Sequence, residues 1–230
     1  MAFTAELREF VQHHGAINNP YLDRFQTGNL TDEEVYHFAE QFFAFVKHFP
    51  RILAALLANA ADDAEAEELV GILASELGDG NPKQRHEYIY HRFLRSIGID
   101  PHEAARASWF DSTNEYIEGL AALYGNRDHQ IALGASFGLE HMAVSMWDQL
   151  IPGLQALKNT RPALAKMDTA YWTFHRSLEE KHEEAMMKAL DGTPKNNEKA
   201  LRQGCGQALD LLEGFWMGLH NYCLPEVQTA

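Results

Sequence analysis

His175, Glu179 and His182, within "YWTFHRSLEEKHEEAMMKAL" (171–190), repeat imidazole, carboxylate, imidazole at offsets of four and seven. On an α-helix of about 3.6 residues per turn, those offsets stack the three side chains on one stripe. Apolar bulk borders the stripe, with Trp172, Phe174 and Leu178 before it and Ala185, Met186 and Ala189 after. A helix packing by that apolar face brings the stripe close to the interior. Buried imidazoles and a carboxylate need partners there, and a metal ion satisfies all three together.

Three more residues put an acid or imidazole on a helix side expected to be dry. Glu76 closes the apolar run "LVGILASE", on the face of Ile72 and Leu73. His86 opens "RHEYIYHRFL" after a glycine-rich break that lets the chain turn back beside Glu76. Glu140 sits within "GASFGLEHMAVSMW", where charge is scarce. Three carboxylates and three imidazoles suit a pair of divalent iron ions, because carboxylates bridge hard cations and imidazoles cap them. Zinc alone needs fewer ligands, and calcium avoids imidazole. Open positions on reduced iron are what dioxygen needs, which makes dioxygen the expected co-substrate. Competing readings place Glu179 in a solvated charge run and pair Glu140 with Arg161. The remaining histidines read as core or surface residues, and the cluster could also be a hydrogen-bonded network in a non-catalytic binding protein.

The rest of the chain must position those groups. Its 230 residues suit one domain spanning 1–230, with a full hydrophobic core. A net charge of −14 excludes the basic face that nucleic acid or an anionic membrane surface demands. No segment reaches membrane-span length, and the N-terminus, which carries acids in place of a basic start and an apolar core, is not expected to act as a signal peptide. Two cysteines, Cys205 and Cys223, are too few for a disulfide framework, so a reducing cytoplasm is the expected location. Helical periodicity and caps recur, and strand alternation is absent, which predicts an all-α bundle of about seven helices. Thr31 and Glu34 form a capping box for a helix running to Pro50. Asn81 with Pro82, and Asp100 with Pro101 and Glu103, mark two further starts. "DHQIALGASFGLEHMAVSMWDQLIPGL" reads as a central helix, "TRPALAKM" opens the helix that ends at Gly192, and a last amphipathic helix follows.

"SELGDGNPKQRHEYIYHRFLRSIGI", "FGLEHM" and "HRSLEEKH" together resemble the metal-binding segments of the heme-oxygenase-like diiron oxidases and oxygenases, a group that includes the death-domain-associating p-aminobenzoate synthase and diiron N-oxygenases. The likeness runs from about Asn18 to Leu190. It implies a heme-oxygenase-like fold and iron held by Glu76, His86, Glu140, His175, Glu179 and His182. It also implies a small, amino-acid-derived substrate, a homodimer, and an electron donor outside the chain. Relatives commonly carry Asp where this chain has Glu179, and Glu40 is the candidate for the extra carboxylate some members add. Tyr21 falls where self-sacrificing p-aminobenzoate makers place the tyrosine they consume, but Leu150 occupies their lysine position. Thiaminase-like relatives use a cysteine inside the bundle, whereas both cysteines here fall in the last helix. Phe42, Phe43, Phe137, Trp147 and Trp172 are candidate pocket walls, with core packing as the alternative for each.

Overall fold

Thr31 begins the longest stretch of the first half of the chain. In the computed structural model its hydroxyl accepts from the Glu34 backbone N–H at 3.2 Å, and Glu34 Oε2 accepts from the Thr31 N–H at 2.6 Å. That reciprocal cap starts a 26-residue helix, Asp32–Leu57. The structure describes residues 3–178 and 194–222, which form ten α-helices and no strand among the described residues. They are α1 (Phe3–Gln12), α2 (Pro20–Gln26), α3 (Asp32–Leu57), α4 (Asp63–Glu76), α5 (His86–Ser96), α6 (Pro101–Ala104), α7 (Asp111–Tyr124) and α8 (His129–Thr160). Helix α9 covers 170–178 up to the edge of the described stretch, and α10 is Glu198–Tyr222.

The expected seven thus become ten, and each difference has a local cause. Helices α1, α2 and α7 are additions. Phe110 gives α7 no side-chain cap, so that helix carries no start signal. Pro50 does not end α3, although it has no N–H to offer the Val46 carbonyl. Burial of Ile52, Leu53 and Leu56 holds the helix together beyond it. Asn81 accepts from the Lys83 N–H and caps only the single 3-10 turn Pro82–Gln84, with α5 starting after it. Asp100 caps a four-residue helix. "TRPALAKM" forms a 3-10 turn at Pro162–Leu164, and α9 opens later, where Asp168 Oδ1 accepts from the Ala170 N–H at 2.9 Å.

Two devices bring the site elements together. Between α4 and α5 the backbone is left-handed at Gly78, Asp79 and Gly80. At Gly78 (φ +85°) a Cβ would collide with the Asn81 carbonyl and lie 2.6 Å from Arg85 N, so only glycine folds the chain back this tightly. Helices α5 and α9 are tied through Asp168, which accepts from Arg92 Nη2 at 2.7 Å and donates its N–H to Ser96 Oγ at 2.8 Å. An aromatic core fills the middle, with Trp172, Trp216, Phe38 and Tyr90 fully buried. Among the described residues no helix is long and apolar enough to cross a membrane.

The α3 cap also gives a pH prediction. Glu34 is only 4% exposed. Burial pushes its pKa up, but the Thr31 backbone N–H, the Arg24 guanidinium and the Thr31 hydroxyl outweigh that and hold it below the usual 4.5. A folded pKa below the unfolded one gives stability that is present above the unfolded value and is lost as pH falls through the folded value. Glu34→Gln is expected to cost about 1 kcal/mol at neutral pH, a fall in Tm of roughly 2–4 °C for a chain this size. Thermal scans should show the variant losing less than the parent on acidification below pH 4.5. Parallel pH profiles would refute the assignment.

Candidate metal centre

His86, the first residue of α5, lies directly across the Gly78 turn from Glu76, the last of α4. Its Nδ1 stands 2.9 Å from Glu76 Oε2, and the two side chains are 3% and 10% exposed. The Asp168 clamp aligns α9 with α5, and His175 Nε2 reaches the same His86 Nδ1 at 3.0 Å. One ligand atom from each of Glu76, His86 and His175 falls within 4.8 Å of the other two. His175 Nδ1 donates to the Tyr171 backbone carbonyl at 2.7 Å, a group that only accepts. That bond fixes the tautomer and leaves the Nε2 lone pair facing His86 and Glu76.

A purely hydrogen-bonded cluster distributes poorly here. The His86 Nδ1–H would have to serve a carboxylate oxygen and an imidazole lone pair at once. His86 Nε2, meanwhile, is buried with no hydrogen-bond partner among the described residues. A cation suits the donor set better: two imidazole nitrogens and one carboxylate oxygen are ligands common to iron and zinc. Nitrogens about 2.1 Å from one cation and at right angles to each other stand about 3.0 Å apart, which matches the His86–His175 spacing.

The three residues line a cavity of about 60 Å³ whose described wall comes from α3, α4, α5, α8 and α9. Glu140, on α8, lines the same cavity but lies outside the tight cluster. Its proposed partner Arg161 is engaged elsewhere, donating to the Leu30 carbonyl at 2.9 Å and standing 3.9 Å from Asp32. Four of the six expected ligands therefore share one cavity. Glu179 and His182 lie outside the described residues, as do Ala185, Met186, Ala189, Gly192 and Cys223. Glu40 does not line the cavity.

Among the expected walls only Trp147 lines the cavity. Phe42, Phe43, Phe137 and Trp172 pack in the core instead, Phe43 stacking on Tyr90 and Phe42 meeting Trp172 and Trp216. The walls that sequence reasoning missed are Phe45, Phe49 and Tyr171. Tyr171 had a usable signal, since it precedes His175 by one turn on the stripe of His175, Glu179 and His182 in the sequence. Tyr21 is fully buried, stacked on Trp216 at 5.8 Å, and does not line the cavity. Burial pushes the Cys205 thiol up to about 12, so it is no thiolate nucleophile at neutral pH.

Known proteins agree with this architecture. The chain is 23% identical over 215 residues to a 4-chloro-allylglycine synthase of Streptantibioticus cattleyicolor, covering 92% of this chain and 80% of the relative. It is also 23% identical to a 4-aminobenzoate synthase of Chlamydia pneumoniae, covering 94% and 93%. A solved domain from Shewanella denitrificans, described as having a heme oxygenase-like fold, superposes with a TM-score of 0.72 at 16% identity over 95% of this chain and 90% of that one. The fold is therefore heme-oxygenase-like. The family model described as iron-containing redox enzyme matches residues 36–213, which is most of the chain and spans Glu76, His86, Glu140 and His175, so the chain belongs to the iron-containing redox enzymes.

Proposed function

We propose that this oxidoreductase is a non-heme diiron oxidase or oxygenase that uses dioxygen on a small metabolite. The observation that carries the reading is the convergence of Glu76, His86 and His175 in the wall of a largely apolar cavity. In this reading those three hold one iron, and Glu140, Glu179 and His182 hold the second. Bound reduced iron supplies the electrons that dioxygen takes up, which the side chains alone cannot.

The chain's own contribution is positioning and exclusion. The Tyr171 carbonyl keeps the His175 proton on Nδ1, so Nε2 stays available as a ligand. Glu76 and Glu140 supply negative charge that offsets the cations. Apolar side chains from α3 and α8 keep water from the reacting atoms and orient the substrate against the ligands. A homodimer and an external electron donor belong to the same proposal.

Anaerobic loading with Fe(II) followed by metal analysis tests it. The expected result is close to two irons per chain and an absorbance change on admitting oxygen. A protein that takes up no iron ends the reading and leaves a helical binding protein. The self-sacrificing alternative is separated by Tyr21→Phe. Because Tyr21 packs on Trp216 away from the cavity, that variant is expected to keep product formation within about twofold, as a change outside the reacting shell should. Loss of product would restore the self-sacrificing reading.

A further inference from the structure

The cavity wall divides sharply by chemistry. Its ionisable groups are Glu76, His86, Glu140, His175 and the Tyr171 phenol. The rest of that wall is hydrocarbon, indole or thioether, with Phe45, Val46 and Phe49 from α3 and Met142, Ala143 and Met146 from α8. No Arg, Lys, Asn, Gln, Ser or Thr lines the cavity among the described residues. A substrate carboxylate, ammonium or guanidinium set against those six side chains would lose its water, and none of the six carries a counter-charge. Among the described residues only Glu76, His86, Glu140, His175 and the Tyr171 hydroxyl could receive a charged group. The hydrocarbon walls reward the opposite chemistry, because each buried methylene tightens binding about fourfold.

We propose that the part of the substrate lodged against these α3 and α8 side chains is an uncharged alkyl or aryl group, with any charged head at the metal ligands or outside the cavity. The substrate class is therefore a small apolar-chain metabolite in place of a free polar amino acid such as arginine or lysine. This deepens the diiron reading and rests on it for the chemistry, though not for binding. A volume of about 60 Å³ gives on the order of four to six water-sized positions, room for an alkyl segment of similar carbon count. Val46, Phe49, Met142 and Met146 are among the side chains that set that limit. Methionine's flexible thioether lets the α8 wall adapt to chains of slightly different shape.

The test uses the full metal-free chain and the series of 1-alkanols from propanol to octanol as probes. Binding is followed by tryptophan fluorescence, which Trp147 in the wall reports, and by calorimetry. Affinity is expected to rise about fourfold per added carbon and then level off near six carbons. L-arginine and L-lysine are expected to show no saturable binding where 1-hexanol saturates. Ala143→Phe, which fills the cavity, should weaken 1-hexanol binding at least tenfold with helical circular dichroism unchanged. If that variant does not fold, Ala143→Leu should weaken it in the same direction. Affinity flat with chain length, arginine or lysine outcompeting hexanol, or unaltered hexanol binding in both Ala143 variants would overturn the proposal. Iron uptake is measured on the same preparation: a chain that binds alkanols but no iron keeps this inference and loses the diiron reading.

Discussion

His86→Ala is expected to lose iron and turnover together while the helical fold survives. His86 stands at the meeting point of the cluster, 2.9 Å from Glu76 Oε2 and 3.0 Å from His175 Nε2. Deleting its imidazole removes one ligand and leaves the Glu76 carboxylate facing His175 across the gap. Loss of groups that merely orient ligands costs 10–100-fold in metal affinity, so loss of a ligand should cost about 100-fold or more. A plain hydrogen-bond network makes a different forecast: about 1–3 kcal/mol of stability lost and no change in metal behaviour, since none would bind. Melting curves with and without Fe(II) separate the two. Iron at 100 times its dissociation constant should stabilise the parent by about 2.7 kcal/mol and His86→Ala by almost nothing. His86→Gln sharpens the test, because its amide can still donate to Glu76 while offering a poor ligand. An iron-replete, active His86→Ala would refute the assignment.

The cluster was legible because each member breaks a local pattern. Glu76 ends an apolar helix, the glycine-rich turn after it can only fold back, and His86 is the first residue past that turn. His175 was legible through the periodicity of its own helix. The walls that α3 supplies were not legible, for a reason of geometry. Helix α3 is buried on more than one side, with Phe38, Phe42 and Phe43 all within 2% of full burial. Helical periodicity separates wet from dry faces but does not say which dry neighbour a side chain meets. Phe42, Phe45 and Phe49 even share one stripe, at offsets of three and seven, yet Phe42 meets Trp172 and Trp216 while Phe45 and Phe49 line the cavity. Helix α2 escaped for a different reason: its seven residues are too few for a periodic signal, whereas Asp100 and Pro101 marked the start of α6 but not its four-residue length. The run of α3 past Pro50 reflects tertiary burial overriding a local breaker, an outcome that no window around the proline contains.

The same alanine substitution at two glycines of α10 is expected to act in opposite directions. Gly204 lies where α10 crosses α8, and a Cβ there would collide with the Ile131 carbonyl and lie 3.0 Å from Ala135 N. Helix α8 answers in kind: a Cβ on Gly134 would strike the Leu201 backbone, and one on Gly138 would lie 3.1 Å from the Cys205 carbonyl oxygen. The obstacles are backbone atoms, which no rotamer change moves, so an added methyl must push the helices apart. Overpacking of this kind costs about 1–3 kcal/mol, and Gly204→Ala belongs at the upper end after its helix-propensity gain. That is a drop in Tm of roughly 5–10 °C. Gly214, ten residues on, has nothing within 4 Å of its would-be Cβ. Gly214→Ala should gain about 0.5–1 kcal/mol from propensity alone. Glu140 sits two residues beyond Gly138 on α8, so a forced separation also displaces the wall that carries it. Gly204→Ala should therefore bind Fe(II) more weakly than the parent even well below its melting point, while Gly214→Ala binds it equally. Equal stability of the two variants would mean that α8 and α10 do not meet backbone to backbone, and the placement of Glu140 over the cavity would fall with that contact.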